Sequence, residues 1–213
     1  TMTTGEGGMI ITDSEELWRA MSEYHDHGHD HAVNPGGRGG EGRRFIGFNY
    51  RMMEIQGAIG LAQLAKLDSM ITAQKKNKTL LQEAAGKIPG VSFREILDEE
   101  GDSATFLAFM LPDKERAAQV NQVLKDNGAG AINFGENTWH FYPQWEHLLD
   151  AKTPCKGGWP FLAHGKRRVV YDPEGLPQST EIMCRTLVYQ VPIKLGEEQK
   201  ETMLAALSKA AAS

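Results

Sequence analysis

The sequence predicts an α/β protein, and three observations carry that reading. An apolar face at helical spacing begins at Ile55 and runs on through Leu81. A short β-branched run, Met9-Ile10-Ile11-Thr12, has the length and composition of a buried strand. Farther along, strand-like and helix-like stretches alternate between Ala104 and Phe134.

Taken in order, the chain opens on a glycine-rich turn, Thr3-Thr4-Gly5-Glu6-Gly7-Gly8, ahead of the Met9 strand. Asp13 and Ser14 are good helix caps, and Glu15 and Glu16 suit the positive end of the helix that follows. Leu17, Met21 and Tyr24 share one face of that helix, which is expected to end near Gly28. His29 to Arg44 reads as a loop, because Gly36, Gly37, Gly39, Gly40 and Gly42 would make regular structure entropically costly. Phe45 to Arg51 is an aromatic lead into the longest helix. Ile55, Ala58, Ile59, Ala62 and Ala65, then Leu67 and Ile71, form its apolar face, with a stop at Gly86 before Pro89. Gly57 and Gly60 are costly inside it, so close packing against another backbone is expected there. Ala104 to Leu111 is a strand. Asp113 caps a helix ending at Asn127-Gly128, and Ala131 to Phe134 returns as a strand beside the first. Trp139 to Tyr171 is aromatic and irregular, broken by Pro143, Pro154 and Pro160. The final helix carries Met203, Leu204, Leu207 and Ala211. No internal repeat is present.

Composition narrows the function. The 213 residues carry a net charge of −5, which argues against general affinity for nucleic acid or anionic membrane. No apolar run reaches the roughly 18 residues of a helical membrane span. Two cysteines, Cys155 and Cys184, fit a reducing compartment such as the cytoplasm rather than a disulfide scaffold. The chain starts at Thr1 rather than methionine, so it is expected to begin inside a longer polypeptide.

Five segments, in order, carry a resemblance. They are Thr3-Thr4-Gly5-Glu6-Gly7-Gly8; Tyr24-His25-Asp26-His27-Gly28; Gly47-Phe48-Asn49-Tyr50-Arg51-Met52 with Glu54-Ile55-Gln56; Gln63-Leu64 with Lys66-Leu67; and Leu176-Pro177, Arg185-Thr186-Leu187 and Val191-Pro192-Ile193. Together they resemble the sugar aminotransferases of the DegT/DnrJ/EryC1/StrS family. The second segment departs from the usual Leu-Arg-Asn-His-Gly of that family. The resemblance implies the C-terminal part of a type I aminotransferase fold. Residues 1–70 would finish the large cofactor-binding domain and residues 71–213 would form a small α/β domain. It also implies pyridoxal 5'-phosphate as cofactor, a homodimer with shared active sites, and a sugar substrate with an amino-acid donor. The lysine that holds the cofactor is expected just upstream of Thr1, so no catalytic residue is named within the chain.

The same resemblance singles out individual residues. Asn49 corresponds to an asparagine that reaches the cofactor phosphate of the other subunit; by its chemistry alone it could equally cap the next helix. Tyr50, Arg51, Arg44 and His140 are the candidate substrate contacts. Arg51 suits a carboxylate bidentately but also a structural ion pair, and His140 is weighed against an ordinary histidine among aromatics. His25, His27, His29 and His31 alternate, yet residues two apart on a helix do not share a face, so no metal site is expected. The Gly/Arg loop reads either as an anion-binding nest or as a solvated loop. With His25-Asp26-His27-Gly28-His29-Asp30-His31 before it and Phe48-Asn49-Tyr50-Arg51 after it, the loop looks like the family branch that makes an amino octulosonate, a lipopolysaccharide sugar acid. There glutamate would aminate an 8-oxo-3-deoxy-octulosonate whose carboxylate Arg38, Arg43, Arg44 or Arg51 would read. Within the family the alternatives are a nucleotide-sugar aminotransferase or a cofactor-dependent sugar dehydratase, and a non-catalytic homologue ranks behind them.

Overall fold

The computed structural model describes residues 2–30, 42–163, 167–168 and 170–213. His31 and the glycines and arginine at positions 36 to 40 lie outside the described residues. The chain divides into two compact units, Thr1–Asp68 and Ser69–Ser213.

In the first unit, α1 spans Glu15–His25. Ser14, not Asp13, caps it: the Ser14 hydroxyl accepts from the Leu17 amide at 3.3 Å. The chain then reverses at His27 and Gly28, which have φ of 57° and 79°. A Cβ on Gly28 would sit 2.2 Å from the Phe45 carbonyl oxygen, so a side chain is excluded by contact as well as by backbone angle. The expected loop from His29 to Arg44 is paired at its base: β1 (His29–Asp30) runs antiparallel to β2 (Gly42–Arg43). The helix α2 covers Glu54–Leu64, and the Gln56 side chain accepts from the Met53 amide at its start.

Three expectations fail in this unit. Met9, Ile10 and Ile11 form no strand and are 82%, 73% and 90% exposed. A strand needs a hydrogen-bonded neighbour, and none of the described residues runs beside them. The long helix is not continuous: α2 ends at Leu64 and α3 (Leu67–Ala85) starts afresh. At the break the Lys66 amide bonds to the Gln63 carbonyl, a three-residue closure that tightens the turn and interrupts the α-helical ladder. Finally, Gly57 and Gly60 meet no neighbouring backbone among the described residues; the nearest such atom to a Cβ on Gly60 is a Thr4 methyl at 3.5 Å.

The second unit is built on an antiparallel sheet. Its strands, in spatial order, are β3 (Ser92–Phe93), β4 (Phe106–Met110), β8 (Thr186–Gln190) and β5 (Ile132–Asn133). The expected pairing of the 131–134 strand with the 104–111 strand is therefore wrong: β8 lies between them, pairing with β4 from Phe106↔Gln190 to Met110↔Thr186 and with β5 at Ile132↔Val188. Leu187, Val188 and Tyr189 are all buried, so β8 shows the unbroken burial of a central strand rather than alternation. The irregular region contains α5 (Glu146–Leu149) and the short antiparallel pair β6 (Leu162–Ala163) and β7 (Arg167–Arg168).

Four helices complete this unit's framework: the body of α3, α4 (Lys114–Asp126), α6 (Pro177–Cys184) and α7 (Glu197–Ala212). Asp113 caps α4 as expected, accepting from the Arg116 amide at 2.7 Å, and Gly128 ends it at a φ of 77°. Leu81, Leu107, Phe109, Val120, Leu124, Leu187 and Leu207 meet in one core. Each such side chain contributes about 1.5–3 kcal/mol by leaving water. Polar groups in the core find partners: Tyr189 donates to the Ala129 carbonyl at 2.6 Å and Gln74 to the Val191 carbonyl at 2.8 Å.

Candidate functional site

The site is shaped by one short antiparallel contact. Residues 48–50 run beside 24–27: the Phe48 amide donates to the Tyr24 carbonyl, the His27 amide to the Phe48 carbonyl and the Tyr50 amide to the His25 carbonyl, all at 2.8–2.9 Å. In such an extended stretch alternate side chains share a face. Phe48 and Tyr50 accordingly stack at 5.4 Å, and both pack on Tyr24, at 5.5 and 6.2 Å between ring centres. The aromatic motif thereby fixes the backbone on which Asn49 and Arg51 are mounted.

Beside this contact lies a cavity of about 960 Å³, lined by the Glu6–Ile10 turn, by Trp18, Met21 and His25 of α1, by 49–53 and by Gln56. Its walls are mainly apolar, with a few polar groups at one side, as ligand sites commonly are. Asn49, Tyr50 and Arg51 all line it. The Asn49 side-chain oxygen accepts from Arg51 Nε at 3.0 Å, and the same Nε lies 3.3 Å from an Asp26 carboxylate oxygen. The Asn49 amide nitrogen and both terminal nitrogens of Arg51 have no protein partner among the described residues, and Arg51 is half exposed. The cavity therefore meets a neutral N–H donor and a cationic edge side by side.

Arg44 is not in this group. Its Nε donates to Glu23 at 2.8 Å, and with Arg19 it lines a separate, smaller concavity beside Glu15 and Glu16. The hydrogen bond to Glu23 holds the Arg44 guanidinium above its ordinary value, against the opposing effect of desolvation. Glu23 is only 2% exposed; Arg19 Nε lies 3.5 Å from its other oxygen and Arg19 Nη2 lies 3.3 Å from Asp30. Arg44 thus closes an ion-pair network around a buried carboxylate, while its remaining edge stays open to solvent.

His140 belongs to the second unit, exposed, with its ring 6.4 Å from Phe134 and its amide bound to the Asn137 side chain. Of the alternating histidines, His25 meets the Ser22 carbonyl at 2.6 Å, His27 the Asp26 carboxylate at 3.0 Å and His29 the Arg43 guanidinium at 3.0 Å. No cluster of three metal-binding side chains forms among the described residues. Sequence reasoning missed Asp26 and Glu23. The Arg19–Glu23 pair has a legible i,i+4 spacing, whereas the Glu23–Arg44 and Asp26–Arg51 pairs bridge 21 and 25 positions and carry no local signal.

Comparison with known proteins gives the chain its family. A 31% identity over 144 residues links the chain to GDP-4-keto-6-deoxy-D-mannose 3-dehydratase of Yersinia pseudotuberculosis, covering 61% of this chain and 35% of that protein. GDP-perosamine synthase of Caulobacter vibrioides is 40% identical over 79 residues, 35% of this chain and 19% of that one. The fold superposes on an aminotransferase from Psychrobacter cryohalolentis with a TM-score of 0.68 at 22% identity, covering 99% of this chain and 53% of that one. The chain thus spans about a third of the first relative and about half of the solved structure. No described helix is long and apolar enough to cross a membrane. The sequence profile of the DegT/DnrJ/EryC1/StrS aminotransferase family matches residues 1–159, and the chain belongs to that family.

Proposed function

We propose that the chain works in a pyridoxal-phosphate-dependent aminotransferase that aminates a keto or aldehydo sugar, in a cytoplasmic homodimer with shared sites. Thr1–Asp68 would close its large domain and Ser69–Ser213 would form its small one. The observation that carries this reading is the Asn49 amide nitrogen, without a protein partner among the described residues, beside Arg51 on the cavity wall. That amide fits the phosphate end of the cofactor, because a neutral N–H can bond a phosphate oxygen without the cost of a desolvated charge. When bound, the cofactor supplies an electron sink for the charge left on the substrate carbon as its proton departs. The terminal nitrogens of Arg51 suit a carboxylate of donor or substrate, and Tyr50 borders the same space. Arg44 and His140 remain substrate contacts in this reading only if the whole protein brings them to the sugar.

The substrate we favour is an 8-oxo-3-deoxy-octulosonate, with glutamate as donor, for lipopolysaccharide amino-sugar synthesis. It rests on the His-rich stretch, the Gly/Arg loop and the Asn-Tyr-Arg motif in series, and on arginines suited to a sugar acid. Glutamate-dependent amination should be assayed on the full-length protein with this octulosonate and with a nucleotide-linked 4-keto sugar. Amination of the octulosonate is expected; amination of the nucleotide sugar alone would refute the substrate while sparing the transaminase reading. A second reading, a sugar 3-dehydratase, draws on the similarity to the Yersinia protein. Loss of a hydroxyl from the nucleotide sugar with no nitrogen incorporated would establish it instead.

A further inference from the structure

The Asn49 amide can face the cavity in two ways, oxygen outward or NH2 outward, and only the second offers a donor. Arg51 decides between them. Its Nε–H is purely a donor and points at the Asn49 oxygen from 3.0 Å; a flipped amide would set two donors against each other. Arg51 is itself a long, half-exposed side chain with many rotamers, so something must hold it. Asp26 does: its side chain is 12% exposed and one of its oxygens lies 3.3 Å from Arg51 Nε and 3.0 Å from His27 Nδ1. Asp26 and Asn49 are also joined by a backbone bridge, so anchor and amide share one rigid frame.

We propose that Asp26 is a positioning residue, which through Arg51 locks the Asn49 amide with its NH2 toward the cavity and so makes that spot selective for an anionic oxygen such as a cofactor phosphate. A carboxylate is the right chemistry, because its charge pairs with the guanidinium at 3.3 Å while Nε–H stays on the Asn49 oxygen and the Nη1/Nη2 edge of Arg51 stays open for a ligand. The proposal rests on the reading of Asn49 as a phosphate contact.

The test uses the full-length protein stripped of cofactor and titrated, by absorbance, with pyridoxal phosphate and with pyridoxal, which lacks the phosphate. Asp26→Ala should weaken pyridoxal-phosphate binding about tenfold and pyridoxal binding less than about twofold. Asp26→Asn, which keeps the size but removes the charge that faces Arg51, should give a comparable phosphate-dependent loss. In an Asn49→Ala background the further loss from Asp26→Ala should fall below about twofold, since both changes remove one interaction. Equal losses for the two ligands, or additive losses in the double variant, overturn the proposal and leave Asp26 a merely structural residue. A loss from Asn49→Ala with none from Asp26→Ala overturns it while sparing the Asn49 reading; no loss from Asn49→Ala overturns both. Should Asp26→Ala melt below the assay temperature, Asp26→Asn carries the test, because it removes only the charge facing Arg51 and is expected to give the same phosphate-dependent loss; equal losses for the two ligands there overturn the proposal.

Discussion

The two units of this chain bury opposite kinds of side chain. In Ser69–Ser213 the core is apolar and continuous, with Leu81, Phe109, Leu111, Val120, Leu124, Leu187 and Leu207 all fully buried. In Thr1–Asp68 the buried side chains among the described residues are carboxylates: Glu23, Asp26 and Asp30. Its large hydrophobics are exposed instead, among them Ile11, Trp18, Ile46, Tyr50, Ile55 and Leu61. Hydrophobic burial is the dominant favourable term in folding, so the first unit is ordered locally by polar pairing and leaves its main driving force unspent. An apolar surface of this extent is the kind that interaction with other protein covers.

The comparison can be broken most directly by separating the units. Expressed alone, residues 69–213 should unfold in one cooperative transition, while residues 1–68 should show none and should aggregate or remain non-cooperative. Circular dichroism melts of both fragments check this; a cooperative monomeric melt from residues 1–68 would defeat the contrast. Within the second unit, Phe109→Ala removes a ring packed 5.8 Å from Tyr189 in a site with no exposure. It should cost about 3–5 kcal/mol, read as a lower denaturant midpoint at unchanged slope.

How much of this was legible follows the same divide. Helix positions were readable because caps and apolar period are local: Ser14, Asp113, Gly86 and Gly128 act where the sequence puts them. The break at Ala65–Lys66 was not, because alanine, lysine and leucine are all good helix formers and the interruption lies in the backbone ladder. The strand β8 escaped because it is buried from Thr186 to Tyr189 and so lacks alternation, and because it pairs with residues some eighty positions away. Met9–Ile11 misled in the opposite sense: its composition suits a buried strand, but burial depends on a neighbour that composition cannot supply. Asn49 and Arg51 are singled out by motif alone, whereas Asp26 and Glu23 emerge only when distant residues come into contact.

A sharper test of the polar half is Glu23→Gln. The change replaces one carboxylate oxygen with an amide donor between Arg19 and Arg44, which can only donate. A buried group left facing like donors costs about 1–3 kcal/mol. The loss should appear as faster amide exchange in α1, with exchange at Leu107 and Leu124 unchanged. Equal acceleration in both units would mean that Glu23 supports the whole chain rather than the first unit.

The smallest expected effect concerns a largely buried charge pair of the apolar unit, Lys78 with Asp102, whose side chains are 8% and 17% exposed. Burial pushes the Asp102 carboxyl up, but the hydrogen bonds from Lys78 and the Ala104 backbone outweigh it and hold the group below its ordinary value. The folded state therefore binds the proton less tightly than the unfolded chain does. By linkage, the stability Asp102 contributes is fully present above the unfolded value of about 4 and is lost as pH falls through the lower folded value. Glu197, held low mainly by the Lys200 hydrogen bond, obeys the same sign, but its partner lies on the exposed surface of α7. Salt screens such surface pairs and leaves buried ones largely intact. In 1 M salt the acid limb of the unfolding midpoint should therefore still differ between the wild type and Asp102→Asn, with the wild type falling more steeply below about pH 4. The corresponding difference for Glu197→Gln should vanish at that salt. Parallel acid limbs for wild type and Asp102→Asn would mean that the pair, although buried, leaves the folding equilibrium insensitive to its charge.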